Sequence, residues 1–295
     1  MNNRVTALLA AFGASAIYGV NHTVAKELMP VYIKPFGLIL LRVLGAAVLF
    51  WLLSVRGPKE KIAPQDWKRL IACAIFGMVI NMLMFFKGLS LSTPINSSVI
   101  VTLSPIIVFV LSAIFIRERI TWIRATGILM GFAGAISLVL FGNEIRTDAP
   151  DIPLGNLLFI INATSYAIYL VLVKPLTAKY HAITLMKWLF LIAVFINLPV
   201  TLNEFLEVRW TSLPWNAIWR MGYVILGTTF LTYLFNIYAL KHLKASTIGA
   251  FIYLQPLIGI IFAIAAGADE LTIEKTGAAL LVFAGVYLVS RKGKD

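Results

Sequence analysis

Apolar runs of about 18 to 24 residues, each ended by a short polar or charged break, follow one another along the chain, and a helix needs about 20 residues to cross a bilayer. They fall near 5–25, 36–55, 68–87, 95–116, 122–141, 154–173, 183–202, 219–239, 246–267 and 273–290. The pattern predicts ten spans, numbered helix 1 to helix 10 in that order. The narrowest break is RERITW (117–122), one charged turn between helices 4 and 5. Trp67, Trp122, Trp210, Trp215 and Trp219 fall at or near span ends, where indole rings anchor in the interface. Composition agrees. With 60% apolar and 13% charged residues and a mean hydropathy of +0.90, the chain cannot clothe a water-soluble surface. An all-α integral membrane protein is expected. The opening cation and apolar run resemble a signal peptide, but no hydrophilic domain follows a cleavage site, so residues 5–25 read as a retained span.

Charge sets the orientation. With the N-terminus inside, sixteen of the 25 Lys and Arg residues fall in inner segments, seven in outer ones, and Arg42 and Lys187 lie within spans. The positive-inside rule then places both termini in the cytoplasm, and a bacterial inner (plasma) membrane is the expected location. The net charge of +12 suits an anionic lipid leaflet and calls for no nucleic acid. Cys73 is the single cysteine, so no intrachain disulfide can form.

Shifting the chain by 151 residues aligns LSLSTPINSSVIVTLSPII (89–107) with LKHLKASTIGAFIYLQPLI (240–258). In that register Pro105 meets Pro256, Glu118 meets Asp269, Thr121 meets Thr272, and Phe132-Ala133-Gly134 meets Phe283-Ala284-Gly285. Near the starts of the halves, a shift of 148 pairs Tyr18 with Tyr166 and Lys26 with Lys174. The chain thus divides into a first repeat (1–141), an outer linker (142–153) and a second repeat (154–295). Five spans per repeat is an odd number, so the second copy must enter the membrane in the opposite sense. Inverted-topology repeats belong mostly to secondary transporters, with a solute site near the midplane between them.

The opening YGVNHTVAK of helix 1, Arg42 early in helix 2, Gly88-Leu89 and Ala239-Leu240 after helices 3 and 8, and prolines in helices 4 and 9 followed by ERIT (118–121) and DELT (269–272) carry a resemblance. The sequence resembles the drug/metabolite transporter superfamily, in its ten-helix branch with two EamA-type domains, over nearly its whole length. The resemblance implies alternating access by two inverted halves, a central cavity from helices 1–4 and 6–9, peripheral helices 5 and 10, and transport of small metabolites, often outward. Tyr18 stands where a tryptophan is common in that family, and His22 follows Asn21.

Polar side chains inside spans are the candidate solute contacts, because hydrocarbon offers them no partner. Those singled out are Asn21 and His22 (helix 1), Arg42 (helix 2), Asn81 (helix 3), Ser104 (helix 4), Tyr166 and Tyr169 (helix 6), Tyr233 and Asn236 (helix 8), and Tyr253 and Gln255 (helix 9), with Pro105 and Pro256 as hinges. Ser and Thr in spans also bond their own backbone, and amides also glue helices together, so both roles stand open for each. Helices 5 and 10 contribute almost no polar groups. Gly127 and Gly131 in helix 5 form a GxxxG pair, suited first to intrachain packing and otherwise to a homodimer through helices 5 and 10. Lys187 is placed to snorkel to the inner surface.

His22, His181 and His242 lie in three separate segments, and no HExxH or GxSxG occurs, so nothing in the chain points to an enzyme. No cofactor is expected. The partners expected are the lipid bilayer and a small-molecule solute. The first functional expectation is a secondary transporter exporting amino acids or related metabolites, and the second is an exchanger of a larger organic anion such as a phosphorylated or nucleotide-linked sugar. No Asp or Glu lies well inside a predicted span, which leaves His22 as the one mid-membrane group able to couple protons near neutral pH.

Overall fold

A computed structural model describes residues 3–29, 31–92, 97, 100–119, 121–140, 150–265 and 273–290. All ten spans appear among them. Helix 1 is Asn3–Leu28, helix 2 Pro35–Val55, helix 5 Trp122–Leu140, helix 6 Ile152–Lys179, helix 7 Ala182–Leu206 and helix 10 Ile273–Ser290. Helix 3 follows the 3-10 turn Pro64–Asp66 and is built of Trp67–Ala74, Ile75–Ile80 and Asn81–Leu91, the middle piece a π-helix. Helix 8 has the same construction, Trp215–Ile225, a π-helix Leu226–Leu231, and Thr232–His242. Helix 4 is described chiefly as Ser104–Phe115, and helix 9 as Ala245–Phe251 and Leu254–Ala265. No strand occurs among the described residues. Helices 2, 3, 6, 7 and 8 are each long and apolar enough to cross a bilayer.

The repeat seen in the sequence is also geometric. The π-segments begin at Ile75 and Leu226 and end at Ile80 and Leu231, each pair separated by 151 residues, and helices 3 and 8 end at Leu91 and His242, again 151 apart. Helices 4 and 9 both break at a turn, at Thr102–Leu103 and Ile252–Tyr253, just before Pro105 and Pro256. A proline has no N–H to give the preceding turn and its ring crowds the carbonyl there, so the chain tightens to i→i−3 bonds: Leu103 N to Ile100 O, Tyr253 N to Ala250 O and Gln255 N to Ile252 O. Phe251 O, which Gln255 N no longer reaches, accepts from Ser15 Oγ of helix 1 at 2.8 Å. The kinked place is thereby tied to a neighbour instead of being left unpaired.

Packing follows the two-fold relation between the repeats. Helix 3 packs on helix 6 and helix 8 on helix 1; helix 4 packs on helix 6 and helix 9 on helix 1; helices 2 and 7, and helices 5 and 10, pair across the axis. Helix 2 starts where Glu204 of helix 7 accepts from Phe36 N (2.6 Å) and Gly37 N (3.2 Å), which satisfies two of the free N–H groups at a helix start. Helices 5 and 10 meet on glycine. A Cβ on Gly285 would lie 2.5 Å from Gly131 N, and one on Gly127 would lie 2.9 Å from Gly285 O, so the GxxxG face is used inside the chain. Arg4 donates to Ser290 O, and the two termini share one end of the bundle.

Candidate solute-binding site

A π-turn leaves backbone carbonyls without their helical donors, and such turns concentrate at functional places. In and just after the π-segment of helix 3, carbonyls accept side-chain donors from helices 6 and 8: Phe76 O from Ser165 Oγ (2.6 Å), Gly77 O from Tyr233 Oη (3.0 Å) and Asn81 O from Asn162 Nδ2 (2.7 Å). In helix 8, Thr228 O, one repeat of 151 beyond Gly77, accepts from Thr232 Oγ1 (2.7 Å) and from Arg42 Nη2 (3.4 Å). Asn81 and Tyr233, just past the ends of the two irregular segments, are among the residues lining a cavity of about 670 Å³, its solvent mouth included, which is lined from helices 1, 2, 3, 4, 6, 8 and 9.

Of the residues the sequence singles out, Asn21, Arg42, Asn81, Ser104, Tyr166, Tyr233 and Gln255 line this one space. Arg42 is 4% exposed. Its Nε donates to Thr229 Oγ1 at 2.9 Å, and its guanidinium lies 5.1 Å from the centre of the Phe86 ring. That arrangement fixes the plane of the fork while leaving Nη1, which donates to nothing among the described residues, free for a ligand. No Asp or Glu is among the described residues that line the cavity, so the field they set favours an anionic group.

Three predicted residues stand elsewhere. Tyr169 is buried behind the lining, its ring lying where a side chain on Gly77 would go. Tyr253 packs in the same way against Gly131 of helix 5, away from the cavity. Asn236 donates to Tyr166 Oη at 3.3 Å and so supports a lining residue from behind. The His22 side chain lies outside the described residues, as do Asn96, Ser98, Asp269 and Thr272. Lys187 sits over the rings of Trp51 (5.1 Å) and Trp188 (5.9 Å) on the surface of helices 2 and 7, not in the cavity.

Asn162, a polar in-span candidate left out of the residues singled out, also lines the cavity, whereas Tyr18 and the apolar wall of Met82, Phe85, Phe86, Val101 and Ile252 were not read from the sequence as site residues. Asn162 carried a signal, being an amide in a span. Phe85 and Phe86 carried none, because an aromatic residue in an apolar helix faces lipid, neighbour or cavity with the same letter. Among the described residues no group of three or more His, Cys, Asp or Glu could hold a metal ion.

Two inverted five-helix repeats packed around one cavity are the architecture of secondary transporters. The comparison with known families is specific: the chain belongs to the EamA-like transporter family, whose model matches residues 5–140 and again 153–291. An "Uncharacterized transporter" of Archaeoglobus fulgidus is 28% identical over 98% of both chains. Another similar protein, the "Uncharacterized transporter YyaM" of Bacillus subtilis, is 25% identical over 83% of this chain and 80% of its own. The similarity reaches plants, where a "WAT1-related protein" of Arabidopsis thaliana is 21% identical over 92% of this chain and 79% of its own. A solved structure titled "Crystal structure of protein" superposes with a TM-score of 0.79 at 18% identity, covering 97% of this chain and 96% of its own, and shares the fold.

Proposed function

We propose that this transporter moves small amino acids with apolar or aromatic side chains, or closely related carboxylates, by alternating access of its two repeats, with both termini in the cytoplasm and export as the working direction. One observation carries the reading: a buried arginine with free N–H groups lines a cavity whose described lining has aromatic rings and amides and no carboxylate. A planar fork of this kind bonds a carboxylate bidentately. Asn21, of the same lining, has its Oδ1 buried without a hydrogen-bond partner among the described residues, which suits a donor on the solute, since an unpaired buried acceptor is costly. The apolar side group of the solute would meet Met82, Phe85 and Phe86. A phosphorylated or nucleotide-linked sugar would bring two or more negative charges to a lining whose described residues include one cation, Arg42, and is disfavoured on that ground. The cytoplasmic placement of the termini is supported by the excess of Lys and Arg at their end of the chain's loops.

The test is counterflow in proteoliposomes loaded with unlabelled L-leucine or L-phenylalanine. A carrier should accumulate the labelled amino acid transiently against its gradient and saturate. Accumulation driven by a nucleotide-linked sugar and by neither amino acid would replace this reading with the organic-anion one. Equilibration without overshoot would mean a channel.

A further inference from the structure

Asn81 of helix 3 and Asn162 of helix 6 form a reciprocal pair. Asn162 Nδ2 donates to Asn81 O at 2.7 Å, and Asn81 Nδ2 donates to Asn162 O at 3.4 Å. This bonding settles the orientation of both amides, because turning either over would set its Oδ1 against a carbonyl oxygen. The nitrogens face the helix–helix seam. Both residues line the cavity, and neither Oδ1 accepts a hydrogen bond among the described residues. A pair that served only to join helices 3 and 6 would be complete with its nitrogens. Its oxygens are left as two fixed acceptors at the wall, and the unpartnered Asn21 Oδ1 is a third in the same lining.

An ammonium group carries three N–H donors and no acceptor, and it is the ligand whose hydrogen-bonding demand matches three amide oxygens. A carboxylate would be repelled by them. Building on the reading of the solute as an amino acid held at Arg42, the geometry points to the Asn81–Asn162 pair, with Asn21, as the subsite that binds the solute's ammonium and so separates amino acids from plain carboxylates. The recognition uses neutral oxygens, so an unoccupied subsite leaves no second buried charge in the membrane.

The experiment uses purified full-length protein and four probes, L-phenylalanine, 3-phenylpropanoate, L-leucine and 4-methylpentanoate, with binding read by thermal shift across concentration. Wild-type protein should bind each amino acid about tenfold or more tightly than its deaminated mate, the range expected for hydrogen bonds to a charged group. Asn81→Leu and Asn162→Leu should erase that preference while leaving binding of the deaminated acids within about threefold. Equal weakening of both probe classes by the variants would mean that the pair only joins helices, and overturns the proposal. A fifth probe, N,N,N-trimethyl-L-phenylalanine, tests wild type alone in case the variants fail to fold. It keeps the positive charge and removes every N–H donor, so it should bind as weakly as 3-phenylpropanoate, and binding as tight as L-phenylalanine overturns the subsite. Wild-type binding of amino acid and deaminated acid alike would sink the subsite while sparing the carboxylate site at Arg42. Binding of none of the probes would remove the amino-acid reading and the subsite together.

Discussion

Arg42 shows how one residue's surroundings decide its role. A guanidinium bonded through Nε to Thr229 and resting on Phe86 is oriented for a ligand, and an ammonium on a flexible stem cannot reproduce that plane. Arg42→Lys is therefore expected to fold and to lose about tenfold or more in affinity for L-phenylalanine, with Arg42→Leu losing more, as charge-assisted bonds go missing. Wild-type counterflow by a monodisperse Arg42→Leu protein would take Arg42 out of the site. A second residue sits at the bundle end that carries the termini, before the span of helix 3 begins. Asp66 accepts from Lys179 Nζ at 2.9 Å and from Tyr180 Oη at 2.8 Å, and these hydrogen bonds, Lys179 first, hold its carboxyl below the usual carboxylate range. A depressed carboxyl pKa stabilises the fold above the unfolded-state value and loses that contribution as pH falls through the folded value. Melting temperature should thus fall on acidification below about pH 4, and less steeply in Asp66→Asn; identical pH profiles for the two proteins would contradict the assignment. Residues of this kind were legible to different degrees. Arg42, Asn21, Asn81 and Gln255 announced themselves as polar letters in apolar spans, whereas Tyr169 and Tyr253 looked like cavity residues and are buried against glycines of neighbouring helices. Which tyrosine meets a facing glycine depends on tertiary pairing, which one helix's sequence does not contain.

At the scale of elements, the seam between helices 5 and 10 makes a sharp prediction. Gly127, Gly131 and Gly285 let two backbones approach until no Cβ fits between them, the way small residues drive helix contact in membranes. Gly285→Leu should force these helices apart and destabilise the protein by about 1–3 kcal/mol or more, the usual cost of overpacking, while leaving the cavity residues untouched. Thermal unfolding followed by tryptophan emission reads the loss, and Gly277→Leu, at a position with open space around it, is the control. A variant as stable as the control would mean that this seam is not a tight one. The ten helices and their 151-residue repeat were readable in advance, because span length and proline spacing are properties of the chain alone. The π-segments were not. IFGMVI and LGTTFL share only their place in the repeat, and the π-turn depends on Ser165, Tyr233, Asn162 and Arg42 arriving from other helices to bond carbonyls in and just after it.

For the whole molecule, the relevant question is where the two repeats touch. Helices 4 and 9 meet near the end that carries the termini, where a Cβ on Gly249 would come within 3.1 Å of Val108. Just beyond this contact Glu118, at the end of helix 4, accepts from Ala245 N at 2.7 Å and from Ser246 Oγ at 2.5 Å. The carboxylate satisfies a free N–H at the start of helix 9 and complements the positive end of its dipole. The cavity-lining residues of the same helices, Val101 and Ser104 on one and Ile252 and Gln255 on the other, all lie on the far side of that contact. Glu118 is thus a clasp between repeats on the closed side of the cavity, and losing it should let helices 4 and 9 part there. The test places a reporter inside the contact: Val108→Cys in a Cys73→Ala background, so that the added thiol is the single one in the chain. A membrane-impermeant maleimide applied to the face bearing the termini should label Val108→Cys slowly, since the position is fully buried. Adding Glu118→Leu should raise the labelling rate several-fold, because each charge-assisted bond removed from the closed state shifts its population by a comparable factor. Glu118→Gln, which keeps an oxygen to accept from Ala245 N, should fall between the two. Transported solute would then be lost or its exchange slowed, since a carrier that no longer closes on one side cannot complete its cycle. An unchanged labelling rate in Glu118→Leu would show that the Gly249–Val108 packing holds this end shut without the clasp.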